Sequence, residues 1–424
     1  MNSPAIPAQA ATVRPSSFVD TDRLWQRHAA MAELGGTAAG GVTRLALSTE
    51  DIEARVLLRD WARESGFEFA MDDIANVYIR RPGRRNDLPP VMTGSHIDSQ
   101  PRGGRFDGIY GILAGLEALQ AIDAAAIETV RPIEIVGWTN EEGARFEHSL
   151  MGSKAYAFPD RLESLLDIKD RDGISVRDEV LRAWQTLGPT PRRALGVVPG
   201  AYLEAHIEQG PILEARGKRV GVVTGIQGWR RFVVRIEGEA AHAGTAPQAS
   251  RKDALMAANR VIGALSHLMA DPDDIVRFTV GRFNVLPNSL AVVPSQVEFT
   301  IDFRHPDERA LVERGDAIAG LLHEHARPCA ATLTEISREA PIRFEDDAFA
   351  AVREAARGLD HPFMEIYSGA GHDAQNMFKL CPTGMIFVPC ERGISHNEAE
   401  NASPADLAAG AQVLCDALVT LAGR

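Results

Sequence analysis

The sequence predicts an α/β protein in which a mostly parallel sheet flanked by helices is interrupted by an inserted ferredoxin-like α+β domain. Three observations carry that prediction. Between about residues 67 and 157, short apolar runs alternate with longer stretches at helical spacing, the pattern of strands joined by covering helices. Between 221 and 337 the order becomes β-α-β-β-α-β, the split arrangement of ferredoxin-like domains. After 338 the first pattern resumes and closes on a long terminal helix. A chain of 424 residues is also too long for one ordinary core. The expected division gives residues 1–220 and 338–424 to one domain and 221–337 to the other.

Taken in order, Leu24, Trp25, His28, Met31 and Leu34 recur at helical spacing from about Phe18, and Gly35 and Gly36 end that helix. Ser48 with Asp51 suits the capped start of a second helix reaching Trp61. Strands are expected at Phe67–Ala70 and Val77–Arg80, then a Pro/Gly/Arg turn over 81–89. The apolar Pro90–Met92 is followed by a helix over Gly111–Ile122, a strand over Ile133–Trp138 and a helix over Leu150–Ala157. Residues 160–200 hold a helix over Val176–Leu187 and carry no recognisable chemistry. The inserted domain opens with the alternating VGVVTGIQGWRRFVVRIEG from Val220. It continues with a helix over Asp253–Met269, strands over Ile275–Asn284 and Gln296–Arg304, a helix over Glu308–His325 and a strand over Ala331–Ile336. A helix over Phe349–Leu359, strands over Phe363–Tyr367 and Met385–Pro389, and a helix over Pro404–Leu421 complete the chain.

Composition narrows the function. With 45% hydrophobic and 24% charged residues the chain has the make-up of a soluble globular protein. A formal net charge of −13 disfavours nucleic acid, because phosphate binding needs a basic surface. Cys329, Cys381, Cys390 and Cys415 are scattered without a C-x-x-C pair, as reduced thiols of a cytoplasmic protein would be. No apolar run is expected to reach the ~18 residues of a membrane span, and the N-terminus lacks a basic-then-apolar signal. Residues 2–17, rich in Ala, Pro and Ser, read as a loose tail. The expected partner is therefore a small molecule.

Several polar stretches follow the predicted strands, where ligands bind in open α/β sheets. TGSHIDSQPRGGRFDG places His96, Asp98 and Asp107 between a strand and a helix. A histidine and two aspartates suit a metal, although a surface loop can carry the same residue types. TNEEGARF sets Glu141 and Glu142 directly after an apolar strand. Adjacent residues point different ways, so one can hold a cation while its neighbour acts as general base; a surface acidic turn is the alternative. AYLEAHIEQG clusters His206, Glu208 and Gln209. A lone histidine there is more often a core residue, and the acid and amide beside it argue for a site.

Five blocks, GSHID…GGRFDG, NEEGARF…GSKA, HIEQGPILEA, AHAGTAP…RKDAL and SGAGHDAQ…GISHNEAE, follow one another in a likeness running from about Leu24 to the C-terminus. In this order they resemble the zinc- or manganese-dependent N-carbamoyl amino acid amidohydrolases. That group includes β-ureidopropionases, N-carbamoyl-L-amino acid hydrolases, and allantoate and ureidoglycolate amidohydrolases. It lies within a clan of dinuclear-metal aminopeptidases, carboxypeptidases and aminoacylases. The resemblance implies a zinc-exopeptidase-like larger domain, an inserted domain acting as lid and dimer contact, and a homodimer. It also implies two divalent ions, zinc foremost, with manganese, cobalt or nickel able to replace it.

On this resemblance His96 and His206 hold one ion, Glu142 and His396 hold the other, and Asp107 bridges them. Asp98 would accept the free ring N–H of His96, and Glu141 would carry the proton. His242 would stabilise the oxyanion, while Asn288 and Arg304 hold the substrate carboxylate, all three reaching a neighbouring subunit. Gln209 would contact the ureido group, the backbone of Gly369, Ala370 and Gly371 would line the pocket, and His372 and Asp373 would support that loop. The implied reaction hydrolyses R–NH–CO–NH₂ to amine, carbon dioxide and ammonia. SQPRGGRFDG and AAHAGTAP with RKDAL incline the substrate towards N-carbamoyl-β-alanine or N-carbamoyl-L-α-amino acids over allantoate. Gln248–Ala249–Ser250, where many relatives carry a Met- or Trp-containing segment, leaves the side-chain pocket open. A peptidase or aminoacylase of the same clan, and a metal-binding protein without catalysis, are the competing readings.

Overall fold

The computed structural model describes residues 13–423, so the expected N-terminal tail lies outside the described residues as far as residue 12. The strands in chain order are β1 (Glu68–Met71), β2 (Val77–Arg81), β3 (Val91–His96), β4 (Ile133–Trp138), β5 (Ala201–Ile207), β6 (Val220–Ile226) and β7 (Gly228–Glu237). They continue as β8 (Ala241–His242), β9 (Arg277–Leu286), β10 (Val292–Val293), β11 (Gln296–His305), β12 (Ala330–Glu339), β13 (Ile342–Arg343), β14 (Phe363–Ser368) and β15 (Thr383–Val388).

Nine of them form one sheet in the order β1-β2-β4-β3-β5-β15-β6-β13, with β14 beside β6. Its centre is parallel: β4, β3, β5 and β15 run the same way, with antiparallel β2 on one side and β6 on the other. The reason is written in those four strands, which are buried at every position and so need cover on both faces. The helix Ile109–Ala124 supplies part of that cover, with thirteen of its sixteen residues buried.

Among the described residues the terminal helix Pro404–Ala422, interrupted by Asp406 and Asp416, is the one segment that bears on the membrane-span expectation. At 19 residues and a mean hydropathy of 1.4 it is long and apolar enough to cross a membrane. Its apolar residues are instead core: Leu407, Ala411, Leu414, Cys415 and Leu418 are buried, and the Cys415 thiol lies 3.7 Å from the Ala118 carbonyl of the covering helix.

The chain forms two compact units. The larger takes the chain up to Thr224, then Phe344–Ile366 and everything from Gly371; the smaller is Gly225–Arg343 with Tyr367–Ala370. The expected break after residue 220 falls instead within β6, because Gly221, Val222 and Val223 pair with Phe387, Ile386 and Met385 of β15. The smaller unit has an antiparallel sheet ordered β12-β7-β11-β9 and the helices Ala254–Leu268 and Glu308–His325. Alternation along β7 and β11 sends Phe232, Val234, Ile236, Val297, Phe299 and Ile301 into one core with Val261, Leu265 and Ile318.

Candidate metal centre

Parallel strands end on the same edge of a sheet, and that edge gathers the polar stretches. His96 is the last residue of β3; Glu141 and Glu142 follow β4; His206 is the penultimate residue of β5; the 390–400 loop follows β15. Asp107 arrives between them on the loop that enters the helix Ile109–Ala124. Gly108 makes that entry possible. Its φ is +67°, and a Cβ there would lie 2.3 Å from the His96 ring.

Two groups of ligand-type atoms meet on Asp107. Its Oδ1 lies 3.7 Å from His96 Nε2 and 3.3 Å from His206 Nε2. Its Oδ2 lies 3.3 Å from His396 Nε2, and that nitrogen is 3.4 Å from Glu142 Oε2. Both buried imidazoles are locked to present Nε2, because Nδ1 of His96 meets the Asp98 carbonyl at 2.8 Å and Nδ1 of His206 meets the Ile207 carbonyl at 2.9 Å. Glu141 Oε2 lies 3.9 Å from His96 Nε2, beside the first group.

These atoms fit divalent cations. Ligands at 2.0–2.1 Å around a tetrahedral ion stand ~3.3 Å from one another, the separations seen here. Asp107 Oδ1 and Glu142 Oε1 are buried without a hydrogen-bond partner, which a carboxylate tolerates when a cation sits against it. Imidazoles and carboxylates without a thiolate are donors suited to zinc and its neighbours. A third grouping, Glu204, His206 and His372, competes for the same histidine. With Nδ1 of His206 on a backbone carbonyl, its remaining nitrogen serves Asp107.

The electrostatics show how much negative charge is packed together. Burial pushes Glu141 well above the usual carboxylate range, and Asp373, Glu142, Asp98 and Asp107 add to it. Burial and Asp107 push Glu142 up to about 8. Its hydrogen bond to Asp107, with Glu142 nearby, lifts His396 to about 9. Burial lowers His96 to about 4. Burial alone would raise Asp107, but the His396 hydrogen bond and the rings of His206 and His96 hold it far below. Divalent charge here favours the ionised carboxylates and reverses the pressure on Glu141 and Glu142.

Asp98 corrects the expected role. Its carbonyl, not its carboxylate, meets His96. The carboxylate instead accepts the backbone N–H groups of Glu141 at 3.1 Å and Glu142 at 3.2 Å, clamping the acidic elbow, and burial pushes it up to about 7. The side chain of a residue two positions beyond a strand-end histidine can turn to the neighbouring strand's loop, and here it does.

Residues outside the predicted set also shape the site. Glu400 is buried; its Oε1 accepts Phe106 N–H at 2.9 Å and Asp107 N–H at 3.1 Å, and its Oε2 accepts the Ser395 hydroxyl at 2.8 Å. Gln100 donates to Glu142 Oε2 at 2.8 Å. Glu204, two residues before His206 on β5, accepts Ser95 Oγ at 2.7 Å and Ala374 N–H at 2.9 Å. Strand periodicity could have found it, since residues i and i+2 share a face. The predicted Gln209, with φ +56°, donates to Asp107 Oδ2 at 3.1 Å and Ser395 Oγ at 3.2 Å. Buried His372 packs edge-on to His206 at 4.6 Å, and Asp373 is buried beside Glu204.

The remaining predicted residues belong mostly to the smaller unit. His242 is exposed on the β8–β10 ribbon, and its Nδ1 accepts N–H groups of Gly244 at 3.0 Å and Thr245 at 3.2 Å. A neutral ring there carries its proton on Nε2. Asn288 is exposed at φ +52°. Arg304 is held by Asp302 through Nε at 2.8 Å and Nη2 at 3.1 Å, and its Nη1 donates to the Gly369 carbonyl at 2.9 Å. Ala370 N–H meets Ser368 Oγ at 3.1 Å, while Gly371 lies in the larger unit.

The sequence pattern of peptidase family M20/M25/M40 matches residues 92–420. The chain is 39% identical over 413 residues to an N-carbamoyl-L-amino-acid amidohydrolase of Rhizobium meliloti, covering 95% of this chain and 97% of that one. An allantoate amidohydrolase of Bacillus subtilis (strain 168) is 34% identical over 394 residues, 92% of this chain and 95% of that one. A crystal structure of an amidase of the hydantoinase/carbamoylase family from Burkholderia multivorans superposes with a TM-score of 0.89 at 44% identity, covering 96% of this chain and 99% of that one. Likeness of this extent, over the stretch that contains every clustered side chain, makes the chain a member of peptidase family M20/M25/M40 and a hydrolase acting on amides.

Proposed function

We infer that this protein removes the carbamoyl group of N-carbamoyl amino acids, R–NH–CO–NH₂ and water giving R–NH₂, carbon dioxide and ammonia. The observation that carries the reading is Asp107, which turns one oxygen to His96 and His206 and the other towards His396, itself beside Glu142. Such a carboxylate suits a pair of divalent ions, zinc foremost, with manganese, cobalt or nickel as replacements. When bound, the ions supply Lewis acidity and make water acidic near neutral pH.

The chain's own residues do the rest. Glu141 accepts the water proton on its carboxylate and delivers it to the departing nitrogen. Asp98 keeps that carboxylate in place through the Glu141 and Glu142 amides. Gln209 donates to the ureido group. From the smaller unit of a second copy, His242 donates through Nε2 to the developing oxyanion, and Asn288 and Arg304 hold the substrate carboxylate. Asp302 takes Nε and one N–H of Nη2, and the Gly369 carbonyl takes one N–H of Nη1, so Arg304 keeps one further N–H on each Nη for that task. The Gly369–Gly371 backbone lines the pocket. Two copies pair through the smaller unit, which acts as a lid, and the protein works in the cytoplasm.

The test is ammonia release by metal-reconstituted protein from N-carbamoyl-β-alanine, N-carbamoyl-L-methionine and allantoate side by side. Turnover of a carbamoyl amino acid supports the reading. Turnover of allantoate alone, the substrate in the name of the Bacillus subtilis relative, replaces it. No ammonia from any of the three with zinc, manganese or cobalt ends it.

A further inference from the structure

The elbow that carries Glu141 and Glu142 is anchored from beneath by a buried residue outside the site. Asn76 lies in the turn between β1 and β2, and none of its surface is exposed. Its Oδ1 accepts the Thr139 N–H at 2.9 Å, and its Nδ2 donates to the Gly152 carbonyl at 3.1 Å. Those are the two ends of one loop. Gly152 N–H to Thr139 at 2.8 Å, Met151 N–H to Asn140 at 3.2 Å and Leu150 N–H to Glu141 at 2.8 Å zip its sides together. A single amide therefore closes the base of the loop that presents both glutamates. The approach is tight, since a Cβ on Gly152 would sit 2.2 Å from Asn76 Oδ1 and 2.5 Å from Thr139 N.

Asn76 is itself fixed. The buried Asp72 carboxylate accepts its Nδ2 at 2.9 Å, its backbone N–H at 2.9 Å, the Tyr78 hydroxyl at 2.7 Å and the Ile74 N–H at 3.1 Å. Arg55, paired with Asp51 at 2.8 Å, donates to the Ala75 carbonyl. The loop needs such an anchor. Asn140 at φ +53° and Leu150 at φ +58° occupy left-handed backbone, which side chains as bulky as leucine adopt only where their surroundings hold them.

We propose that Asn76 is a positioning residue for proton transfer: by pinning Thr139 and Gly152 together it sets where the Glu141 carboxylate stands. The proposal rests on Glu141 as the proton carrier. Misplacement of a catalytic group by about 1 Å can cost ~10²-fold in rate, whereas a purely structural asparagine would lower the melting temperature and leave kcat alone.

The experiment compares metal-loaded wild type, Asn76→Ala and Glu141→Gln on whichever of the three carbamoyl substrates is turned over. Asn76→Ser takes the place of the alanine variant if that one does not fold. The folded variant is expected to lose about 10- to 100-fold in kcat with KM within about twofold. Hydrogen exchange at the Thr139 amide should also rise. In wild type that amide should exchange as slowly as those of β3 and β4. A folded variant with kcat within about twofold of wild type overturns the proposal, as does fast exchange of Thr139 in wild type. Full activity in Glu141→Gln instead removes the proton carrier itself, and so separates failure of the mechanism from failure of the anchor.

Discussion

Replacing Glu400 by alanine removes the group that ties the Asp107 loop to the His396 loop. The side chain is 3% exposed, so the two amides that it accepts, Phe106 at 2.9 Å and Asp107 at 3.1 Å, find no water when it goes. A buried donor left unpaired costs about 1–3 kcal/mol, so the pair costs about 2–6 kcal/mol. That is a large share of the ~5–15 kcal/mol that holds a typical domain folded. The Ser395 hydroxyl, which meets Glu400 at 2.8 Å, is also 3.2 Å from Asp107 Oδ2, so the same change loosens the carboxylate shared by both groups of ligands. Glu400→Gln should be mild. Burial and Asp107 push the native carboxyl up to about 7, so a neutral group already serves part of the time. A glutamine oxygen still accepts both amides, and its NH₂ can donate to Ser395. Denaturant unfolding of the two variants beside wild type, with unchanged m-values, measures the difference, and divalent-ion titration measures the loosening. An alanine variant within about 1 kcal/mol of wild type, or a glutamine variant as damaged as the alanine one, refutes the reasoning.

Three further outcomes are expected. Without a cation Glu142 sits at about 8 and His396 at about 9, both protonated at pH 7, so divalent binding must displace protons. Affinity should therefore climb from pH 6 to about 9 with proton release visible by calorimetry in buffers of different ionisation heat, and a pH-independent affinity would contradict the assignment. Burial lowers His28 to about 3 from the usual histidine value of 6.5, so the folded state keeps it neutral while the unfolded chain takes up a proton below pH 6.5. Stability is then full above pH 6.5 and falls by up to ~1.4 kcal/mol per pH unit down to pH 3, and His28→Leu should flatten that acid slope. Arg304→Lys loses the planar fork, and KM for a carboxylate-bearing substrate should rise about tenfold or more with kcat within about threefold; an unchanged KM takes Arg304 out of substrate binding.

Much of this was legible because strand ends, where the chemistry sits, coincide with abrupt switches from apolar to polar residues. Ile133–Trp138 and the pair Glu141–Glu142 are readable in that way, and the helix Val176–Leu187 is found where the sequence places it. The division at residue 220 was not, because VGVVTGIQGWRRFVVRIEG alternates throughout, and only pairing with β15 assigns its first part to the larger sheet. Asp98 was seen as important for the wrong contact: sequence spacing does not say whether carbonyl or carboxylate faces a histidine. Glu400 and Asn76 act through backbone amides of distant segments, and such bonds leave no periodic trace.

The count of divalent ions per chain tests the central claim most directly. Metal-stripped protein, reloaded with zinc, manganese or cobalt and freed of excess ion, is expected to retain about two ions per chain, and Asp107→Ala about one or fewer. A wild-type chain that saturates at one ion, or an Asp107→Ala variant that still holds two, would contradict a site built on a shared aspartate.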